Sequence, residues 1–319
     1  MSSVLTPANS NLLPFDDLVL PFQIEKTDVA GRFLRTQSVI TEILECHNYP
    51  DMISKLLGEA LMVISLIGSG MKLRHRIILQ LQGDGAVPMI VAEYTAQNTM
   101  RGYAKVNQEM FERWTGGEEI NPFLLLGKGH VAITIDNGPG TTPYQGIVPL
   151  EGESLSAMLL SYIEQSEQIM SSLKIYLDRV VLDEGRKVWR GGALLIQKLG
   201  KSGNDMKIEP IDSDDAEKWD RTIALFNTAS QGEVLDPALK CEDLLYRLFH
   251  EDGVRVFDPH HIRFDCSCSR ERLKTFLVNS DQSDLDHMAD ENNKIYADCQ
   301  FCRTKYEFDL SEIIDEQKQ

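Results

Sequence analysis

Residues 266–268 read CSC and residues 299–302 read CQFC, and these two stretches hold four of the six cysteines in the chain. A CxC and a CxxC each place two sulfur atoms on one side of a tight turn. Two such turns brought together form a tetrahedral four-sulfur cage, the preferred geometry of a closed structural zinc site. The sequence therefore predicts one zinc ion per chain, bound by Cys266, Cys268, Cys299 and Cys302.

Length and composition indicate a soluble globular protein of two or three domains. The chain has 319 residues, of which 42% are hydrophobic and 25% are charged, both ordinary values. Its first residues lack the basic start and apolar core of a secretory signal. The longest apolar run, residues 56–70, is shorter than a membrane span and contains Glu59. Paired cysteines without a secretion signal indicate a reducing compartment, so we expect a cytoplasmic protein that does not enter a membrane.

The charge balance argues against nucleic acid as a partner. The formal net charge of the chain is −17. Residues 262–319, which contain the cysteine pairs, hold thirteen acidic and eight basic residues. Zinc ribbons that bind DNA or RNA depend on basic side chains to neutralise phosphates. We therefore expect no nucleic-acid binding. A zinc-ribbon adaptor for nucleic acid is kept as an alternative that tight, salt-sensitive binding would support.

Residues 1–200 have the pattern of an α+β domain. After a loose arm over residues 1–14, alternating apolar residues predict strands at 18–24, 76–82, 88–96, 100–104, 131–135, 144–148 and 192–197. Helical spacing predicts helices at 38–46, at 51–70 and from residue 154. The helix at 51–70 is apolar around much of its circumference, so we expect it to lie deep in the core. Strands followed by helices, without strict alternation, favour an antiparallel sheet with packed helices.

Residues 201–261 are predicted to form a metastable helical linker. The segment begins with a polar, acidic stretch that contains Gly and Pro, as is typical of a domain boundary. Two amphipathic helices follow, each with a narrow apolar stripe, the first through Trp219, Ile223 and Phe226. Such helices gain most of their stability from docking. Thin stripes on so acidic a segment therefore predict modest burial and weak docking.

Residues 262–319 are predicted to form a small C-terminal module that depends on its metal ion. The spacer between the cysteine pairs carries helix and strand patterns, so we expect a folded insert. A module of roughly 60 residues buries too little apolar surface for a robust fold. A structural zinc ion supplies about 10–16 kcal/mol in small peptides, whereas a whole domain has a net stability of about 5–15 kcal/mol. Oxidation removes thiolate ligands. Oxidation of such a module would therefore release its metal ion and unfold it.

Motifs along most of the chain resemble the thirty-three-kilodalton chaperonin family of redox-regulated holdases. The cysteine arrangement and the type of spacer match the family, and the other matches are collinear over about residues 15–312. They include LQLQGDG at 79–85, RGY at 101–103, YQGIV at 144–148, GGALLIQ at 191–197 and FDCSCS at 264–269. Together these motifs are highly specific.

The resemblance implies an ATP-independent chaperone, not an enzyme, that binds unfolding client proteins under oxidative stress. The reduced, zinc-bound form of the family is inactive. Oxidation is expected to form the disulfides Cys266–Cys268 and Cys299–Cys302, release zinc, unfold the linker and favour a homodimer. One departure is Arg303, where the family usually has Gly or Asn. A turn that requires a positive φ at this position is more costly for Arg.

A thiol oxidoreductase that uses the CQFC motif is the enzyme alternative. Such motifs normally begin a helix in a thioredoxin-like setting, whereas this one lies between strand-like segments. The single cysteines Cys46 and Cys241 lie on apolar helix faces and are interpreted as core residues. His287 is interpreted as a solvated helix position, because four thiolates already complete a zinc site.

Overall fold

The computed structural model describes residues 16–167, 169–182, 185–199 and 213–317. The predicted loose arm (1–14) and the first part of the predicted linker (201–212) lie outside these residues. The chain divides into two compact units. The first unit contains the residues up to Ile40 together with Gly152–Ile262, and the second contains Thr41–Glu151 together with the residues from Arg263 onward. The division into domains 1–200, 201–261 and 262–319 stays a prediction.

The described residues contain fourteen strands and ten α-helices. The strands are β1 (Leu18–Ile24), β2 (Val29–Thr36), β3 (Arg76–Gly83), β4 (Met89–Thr95), β5 (Thr99–Lys105), β6 (Gly129–Asp136), β7 (Tyr144–Pro149), β8 (Ser171–Val181), β9 (Lys187–Lys198), β10 (Val254–Val256), β11 (His260–His261), β12 (Arg263–Phe264), β13 (Lys294–Asp298) and β14 (Lys305–Asp309). The helices are α1 (Ser38–Glu45), α2 (Asp51–Ser69), α3 (Gln108–Thr115), α4 (Leu155–Glu167), α5 (Ser213–Thr228), α6 (Gln231–Val234), α7 (Cys241–Phe249), α8 (Arg270–Val278), α9 (Gln282–Met288) and α10 (Leu310–Gln317).

The first unit is built on an antiparallel sheet with strand order β10-β1-β2-β9-β8, to which β11 adds by pairing with β1. Alternate side chains of β1, such as Leu20 and Phe22, point to one face because successive side chains of a strand point to opposite faces. Phe33 of β2 and Leu194 of β9 join them in one core. This apolar face needs a cover, and helices α5, α6 and α7 supply it.

These helices of the proposed linker pack on the sheet through their apolar stripes. Ten buried residues of the shared core come from the segment 213–261, among them Phe226 and Leu245 at 0% exposure and Phe249 at 1%. Full burial of such a side chain contributes about 1.5–3 kcal/mol. The apolar stripes therefore lie where the sequence predicts them, and the strength of their docking stays a prediction.

The second unit contains a six-stranded sheet in the order β12-β5-β4-β3-β6-β7. All its pairs are antiparallel except β12 with β5, which is parallel. Strands β3 and β4 form the predicted hairpin, with Arg76 opposite Thr95 and Gln82 opposite Met89. The α+β fold class is confirmed, although the strands are divided between two six-stranded sheets where one antiparallel sheet was expected.

Helix α2 packs against β3, β4 and β5 and lies deep in the second unit, as predicted. Thirteen of its 19 residues are buried. This helix is long and apolar enough to cross a membrane, so the expectation that the stretch is too short is wrong, but 72% of its apolar window is buried inside the protein. Burial of this extent is typical of the core helix of a globular domain.

The cysteine-containing part of the second unit has a small core of its own. Strands β13 and β14 form a two-stranded antiparallel ribbon. Six apolar residues from the ribbon and from α8, α9 and α10 are buried together, namely Leu277, Leu285, Ile295, Phe308, Leu310 and Ile313. The prediction of a folded spacer between the cysteine pairs is confirmed.

Candidate metal centre

The first cysteine pair lies in a short loop between β12 and α8. Pairing of β12 with β5 fixes the chain before the loop, and the Arg263 N–H donates to the Asn98 carbonyl at 3.1 Å. After the loop, the Ser269 hydroxyl accepts a hydrogen bond from the Arg272 N–H at 3.2 Å and caps α8. Such caps are typical of Ser at a helix start. Two fixed ends therefore position the CxC loop.

The second cysteine pair lies at the tip of the hairpin that β13 and β14 form. The Cys299 N–H donates to the Thr304 carbonyl and the Arg303 N–H donates to the Cys299 carbonyl, both at 2.9 Å. Arg303 has a φ of 58°, so the turn does require the left-handed conformation at this position. That conformation costs a non-glycine residue about 1–2 kcal/mol. Hydrogen bonds across the hairpin thus hold the CxxC loop in a strained turn.

The structure brings the four predicted ligands together. Their Sγ atoms all lie within 4.8 Å of one another, and the four residues are half-buried, with all four thiols free. The Sγ atoms of Cys266 and Cys299 are 3.6 Å apart, and those of Cys268 and Cys302 are 3.4 Å apart. A tetrahedral zinc ion with Zn–S bonds of about 2.3 Å requires S···S distances of about 3.8 Å, whereas a disulfide requires about 2.05 Å. The spacing and the donor set therefore fit a zinc ion shared by the two loops.

Burial opposes ionisation of the thiols in this cluster. It raises the pKa of Cys266 and of Cys268 above the ordinary cysteine value. At Cys302 burial also acts to raise the pKa, but hydrogen bonds from the side chain and backbone of Thr304 outweigh it and bring the pKa down to about 7. Four thiolates in so confined a space require nearby positive charge. A divalent metal ion would be the largest source of such charge.

Two hydroxyl groups contact the sulfur atoms. The Tyr306 hydroxyl donates to the Sγ of Cys268 at 3.0 Å, and the Thr304 hydroxyl lies 3.1 Å from the Sγ of Cys302. The hydrogen bond to Cys268 raises the pKa of Tyr306, so the phenol stays protonated and keeps its role as donor. Outer groups of this kind orient metal ligands and tune the charge on them.

Arg101 connects both cysteine loops to the sheet of the second unit. Its guanidinium donates to the Ser267 hydroxyl at 3.0 Å, lies 3.8 Å from the Sγ of Cys266 and lies over the Phe301 ring at 4.2 Å. The same guanidinium pairs at 2.9 Å with Glu93, which is opposite it on β4. Arg101 is thus a fixed positive charge beside the cluster and a link from β5 to the CxC and CxxC loops.

The similarity to known proteins extends far beyond the cysteine loops. A family model described as Hsp33 protein matches residues 17–309. The chain belongs to the Hsp33 family. The 33 kDa chaperonin of Caulobacter vibrioides is 35% identical over 296 residues, which are 92% of this chain and 95% of the relative. That of Pseudomonas paraeruginosa is 34% identical over 293 residues, 92% of this chain and 91% of the relative.

A solved Hsp33 structure confirms the fold. The crystal structure of the 33 kDa chaperonin from Thermotoga maritima matches with a TM-score of 0.74 at 24% identity, over 95% of this chain and 98% of that chain. At this identity the likeness shows the fold alone. Family membership and the names of the curated relatives support a chaperone function, and the resemblance that the sequence motifs indicate is confirmed.

The two cysteines of this Hsp33 chain that lie outside the cluster differ in their exposure. Cys241 is 3% exposed and belongs to the core of the first unit, as predicted. Cys46 follows the end of α1 and is exposed, so its interpretation as a core residue is wrong. His287 is exposed on α9, which confirms its interpretation as a solvated position.

Sequence reasoning missed the residues that support the cluster from outside the cysteine module. Arg101 and Cys266 are 165 residues apart in the chain, so no local pattern connects them. The RGY motif at 101–103 contains Arg101, but the sequence alone assigns no function to that residue. The CxxC lies at a hairpin tip, whereas a thioredoxin-like redox motif begins a helix. This setting favours a structural or switching role for the pair.

Proposed function

We propose that this Hsp33 protein is a redox-regulated, ATP-independent holdase whose switch is the four-sulfur cluster. In the reduced form, one zinc ion would be held by Cys266, Cys268, Cys299 and Cys302, and the protein would be inactive as a chaperone. The observation that carries the proposal is the approach of the four Sγ atoms to within 4.8 Å of one another. A four-sulfur zinc site has no open coordination position, which favours a structural role for the metal.

Oxidation would act on the ligands themselves. A thiolate of each loop attacks a peroxide oxygen and becomes a sulfenic acid, and the second thiolate of that loop displaces hydroxide to form a disulfide. Two electrons pass from the two sulfur atoms to one peroxide, which leaves as two water molecules after protonation. The proposed pairs are Cys266–Cys268 and Cys299–Cys302, since each pair shares one loop. The cluster then has no thiolate left to hold the ion.

The module that surrounds the cluster has a small apolar core. Its core consists of the six buried apolar residues that include Leu285, Ile295 and Phe308. A core of this size makes an independent fold of residues 262–319 marginal. Loss of the metal ligands would therefore unfold the proposed C-terminal domain.

The proposed linker, residues 201–261, would be the next element to change, because Ile262 continues directly into the cysteine module. In its described part, polar contacts add to the apolar packing. The Arg35 guanidinium donates to the Val234 carbonyl at 2.9 Å, and the Lys174 ammonium donates to the Ala229 carbonyl at 2.9 Å. Undocking would break these contacts and expose the apolar face of β1, β2 and β9. A large exposed apolar patch of this kind is suited to binding unfolding client proteins.

The cellular setting and the assembly state follow from the same switch. Thiolate ligands persist in a reducing compartment, so we place the protein in the cytoplasm and its activity in the response to oxidative stress. The uncovered sheet face would also favour self-association, and a homodimer is proposed for the oxidised form. Sedimentation of the reduced and oxidised protein tests this part, and a monomer under both conditions would contradict it.

The test of the whole proposal combines metal content with chaperone activity. We expect about one zinc ion per reduced chain, its release by peroxide with mild heat, and suppression of client aggregation without ATP only after that release. Equal suppression by the reduced and oxidised forms would refute the redox switch. Purified reduced protein without metal would refute the zinc site.

Two cysteine variants separate the cluster from general thiol chemistry. Cys268→Ser removes one ligand and should lose tight zinc binding. Cys46→Ser is the matched control, because Cys46 is exposed and is not one of the four clustered cysteines, and a serine hydroxyl can keep its contact with the Phe301 carbonyl, which lies 3.8 Å from the Cys46 Sγ. It should keep both zinc binding and peroxide-dependent activation.

A further inference from the structure

Arg303 has a backbone conformation that is costly for a residue with a side chain. Its φ of 58° lies in the left-handed region, where glycine or asparagine is favoured. The conformation is needed, because the Arg303 N–H closes the loop by donating to the Cys299 carbonyl at 2.9 Å. A strained backbone position that keeps a long charged side chain points to a role for that side chain.

Arg303 lines a cavity of about 370 Å³ in the second unit. Gln300 of the CxxC loop, Lys105 at the end of β5, and His47 and Tyr49 from the segment between α1 and α2 contribute to the same cavity. Its volume is within the range of about 300–1,000 Å³ that is typical of sites for small ligands. The cavity therefore joins the CxxC loop to β5 and to the start of the second unit.

The charges in this cavity are of one sign, in a chain whose net charge is −17. Lys105 and Arg303 are cations, and no carboxylate is among the described residues that line the cavity. Arg303 pairs with the carboxylate of Asp298, but the guanidinium nitrogen and the carboxylate oxygen are 4.0 Å apart, which is the longest distance for an ion pair. Within the part of the chain that the structure describes, Lys105 has no ion-pair partner. The described wall of the cavity therefore holds two cations and no carboxylate, and Arg303 has only the 4.0 Å pairing with Asp298.

Two aromatic rings also line the cavity and are held in place by contacts of their own. The rings of His47 and Tyr49 stack with centroids 4.8 Å apart. The Tyr49 hydroxyl donates to the Ala104 carbonyl at 2.6 Å and accepts from the Ala104 N–H at 3.0 Å. Burial, with a smaller contribution from the charge of Arg303, lowers the pKa of His47, so the imidazole is a neutral wall at neutral pH.

We propose that this cavity binds a small oxyanion of the phosphate class, held by Lys105 and Arg303. A guanidinium presents paired N–H donors that match two phosphate oxygens, and a lysine adds a compact positive charge. The bound anion would bridge β5 and the loop that carries Cys299 and Cys302, and so would oppose opening of that loop. This consequence for metal retention rests on the proposed function, whereas the site itself does not.

Free phosphate and a phosphate monoester present the same oxygens, so both are used as probes. Inorganic phosphate and phenyl phosphate are titrated into the reduced, zinc-loaded full chain at constant ionic strength, with binding followed by calorimetry. We expect saturable binding that Arg303→Gly and Lys105→Gln each weaken at least tenfold. Lys72→Gln, which removes an exposed cation of the same unit away from the cavity, should leave the affinity unchanged.

The order of the two affinities identifies the source of the phosphate. Tighter binding of phenyl phosphate, whose ring can contact the aromatic wall, supports a monoester, and equal binding supports free phosphate. Absence of saturable binding for both probes, or equal binding by all the variants, would overturn the site.

The effect on the loop is measured separately, as the rate at which a chelator removes zinc. Phosphate should slow this removal in the unmodified chain and leave Arg303→Gly unaffected. Binding without slower removal would overturn the proposed consequence for metal retention. A reduced protein that binds phosphate but contains no zinc would refute the proposed function and support the oxyanion site.

Discussion

Replacement of Arg101 by methionine tests whether the link from β5 holds the cysteine loops in place. The change removes the hydrogen bond to Ser267 at 3.0 Å and the cation–π contact with Phe301 at 4.2 Å. A hydrogen bond from a charged donor is worth about 1.5–3 kcal/mol, and a cation–π contact about 0.5–2 kcal/mol. Methionine keeps part of the apolar contact with Phe301. We therefore expect the free energy that holds the two cysteine loops in position to fall by about 2 kcal/mol.

A loss of this size corresponds to about 30-fold weaker zinc binding, since about 1.4 kcal/mol is a factor of ten. It falls within the 10- to 100-fold range that loss of an outer-shell partner typically produces. The assay is competition between the reduced protein and a colorimetric chelator, read as both the equilibrium and the rate of zinc transfer. Arg101→Met should also lower the peroxide concentration needed for activation.

The same change also disturbs the sheet, and this effect needs its own control. Glu93 is 5% exposed and pairs with Arg101 at 2.9 Å and with Arg76 at 3.3 Å. Arg76→Met weakens the pairing of Glu93 as well, but Arg76 makes no described hydrogen bond or ion pair to the cysteine loops. Both variants should lower the unfolding temperature, and only Arg101→Met should weaken zinc binding. Equal zinc affinity in Arg101→Met and the unmodified chain, or equal weakening in both variants, would refute the reasoning.

Three further predictions concern the linker, the cysteine module and pH. Gly192→Ala places a Cβ 2.5 Å from the Val234 side chain, so it should weaken docking of the linker by about 1–3 kcal/mol. The reduced form of this variant should therefore suppress client aggregation more strongly than the unmodified reduced chain. The control is Gly232→Ala, whose Cβ meets only open space and which should leave docking and activity unchanged. Phe308→Ala should destabilise the module by about 3–5 kcal/mol, seen as faster peroxide-driven zinc release. Hydrogen bonds at the N-cap of α6 lower the pKa of Glu233. The contribution of the Glu233 carboxylate to stability is therefore present above its unfolded pKa and is lost as pH falls through its folded pKa. In urea unfolding, the unmodified chain should exceed Glu233→Gln in stability most at neutral pH, and this difference should shrink below about pH 4.

Most strands and the central helix could be predicted because their patterns are local. The alternation of apolar residues in β1 and the apolar circumference of α2 follow from side-chain periodicity alone. The same periodicity was present in β8, where Leu173, Ile175 and Leu177 alternate, but the strand was not predicted. Helix α3 was missed although Asn107 caps its start and Gly116 ends it in the left-handed conformation. These misses are failures to use a signal that the sequence contains.

Other features of the structure have no local signal. The clustering of four cysteines follows from their spacing, because two short loops supply them all. The guanidinium that lies beside Cys266 comes from β5, and its carboxylate partner from β4, so their meeting depends on sheet register and on the pairing of β12 with β5. The depth of linker burial likewise depends on a sheet face formed by strands far away in sequence. Packing between distant segments decides these properties.

The core of the cysteine module is much smaller than the core that the linker joins, and this difference bears on how the proposed switch would operate. The cysteine module has six buried apolar residues and is proposed to depend on its sulfur ligands, whereas the proposed linker contributes ten buried residues to a core that a sheet already supports. Loss of the metal would therefore unfold the module before the linker. Because the linker keeps its own apolar and polar contacts, metal loss alone leaves most of its docking free energy in place. Heat weakens docking as the conformational entropy of the released helices gains weight. The proposed chaperone would thus respond to oxidation and heat together, with the cluster setting the redox requirement and the burial of the linker setting the thermal one.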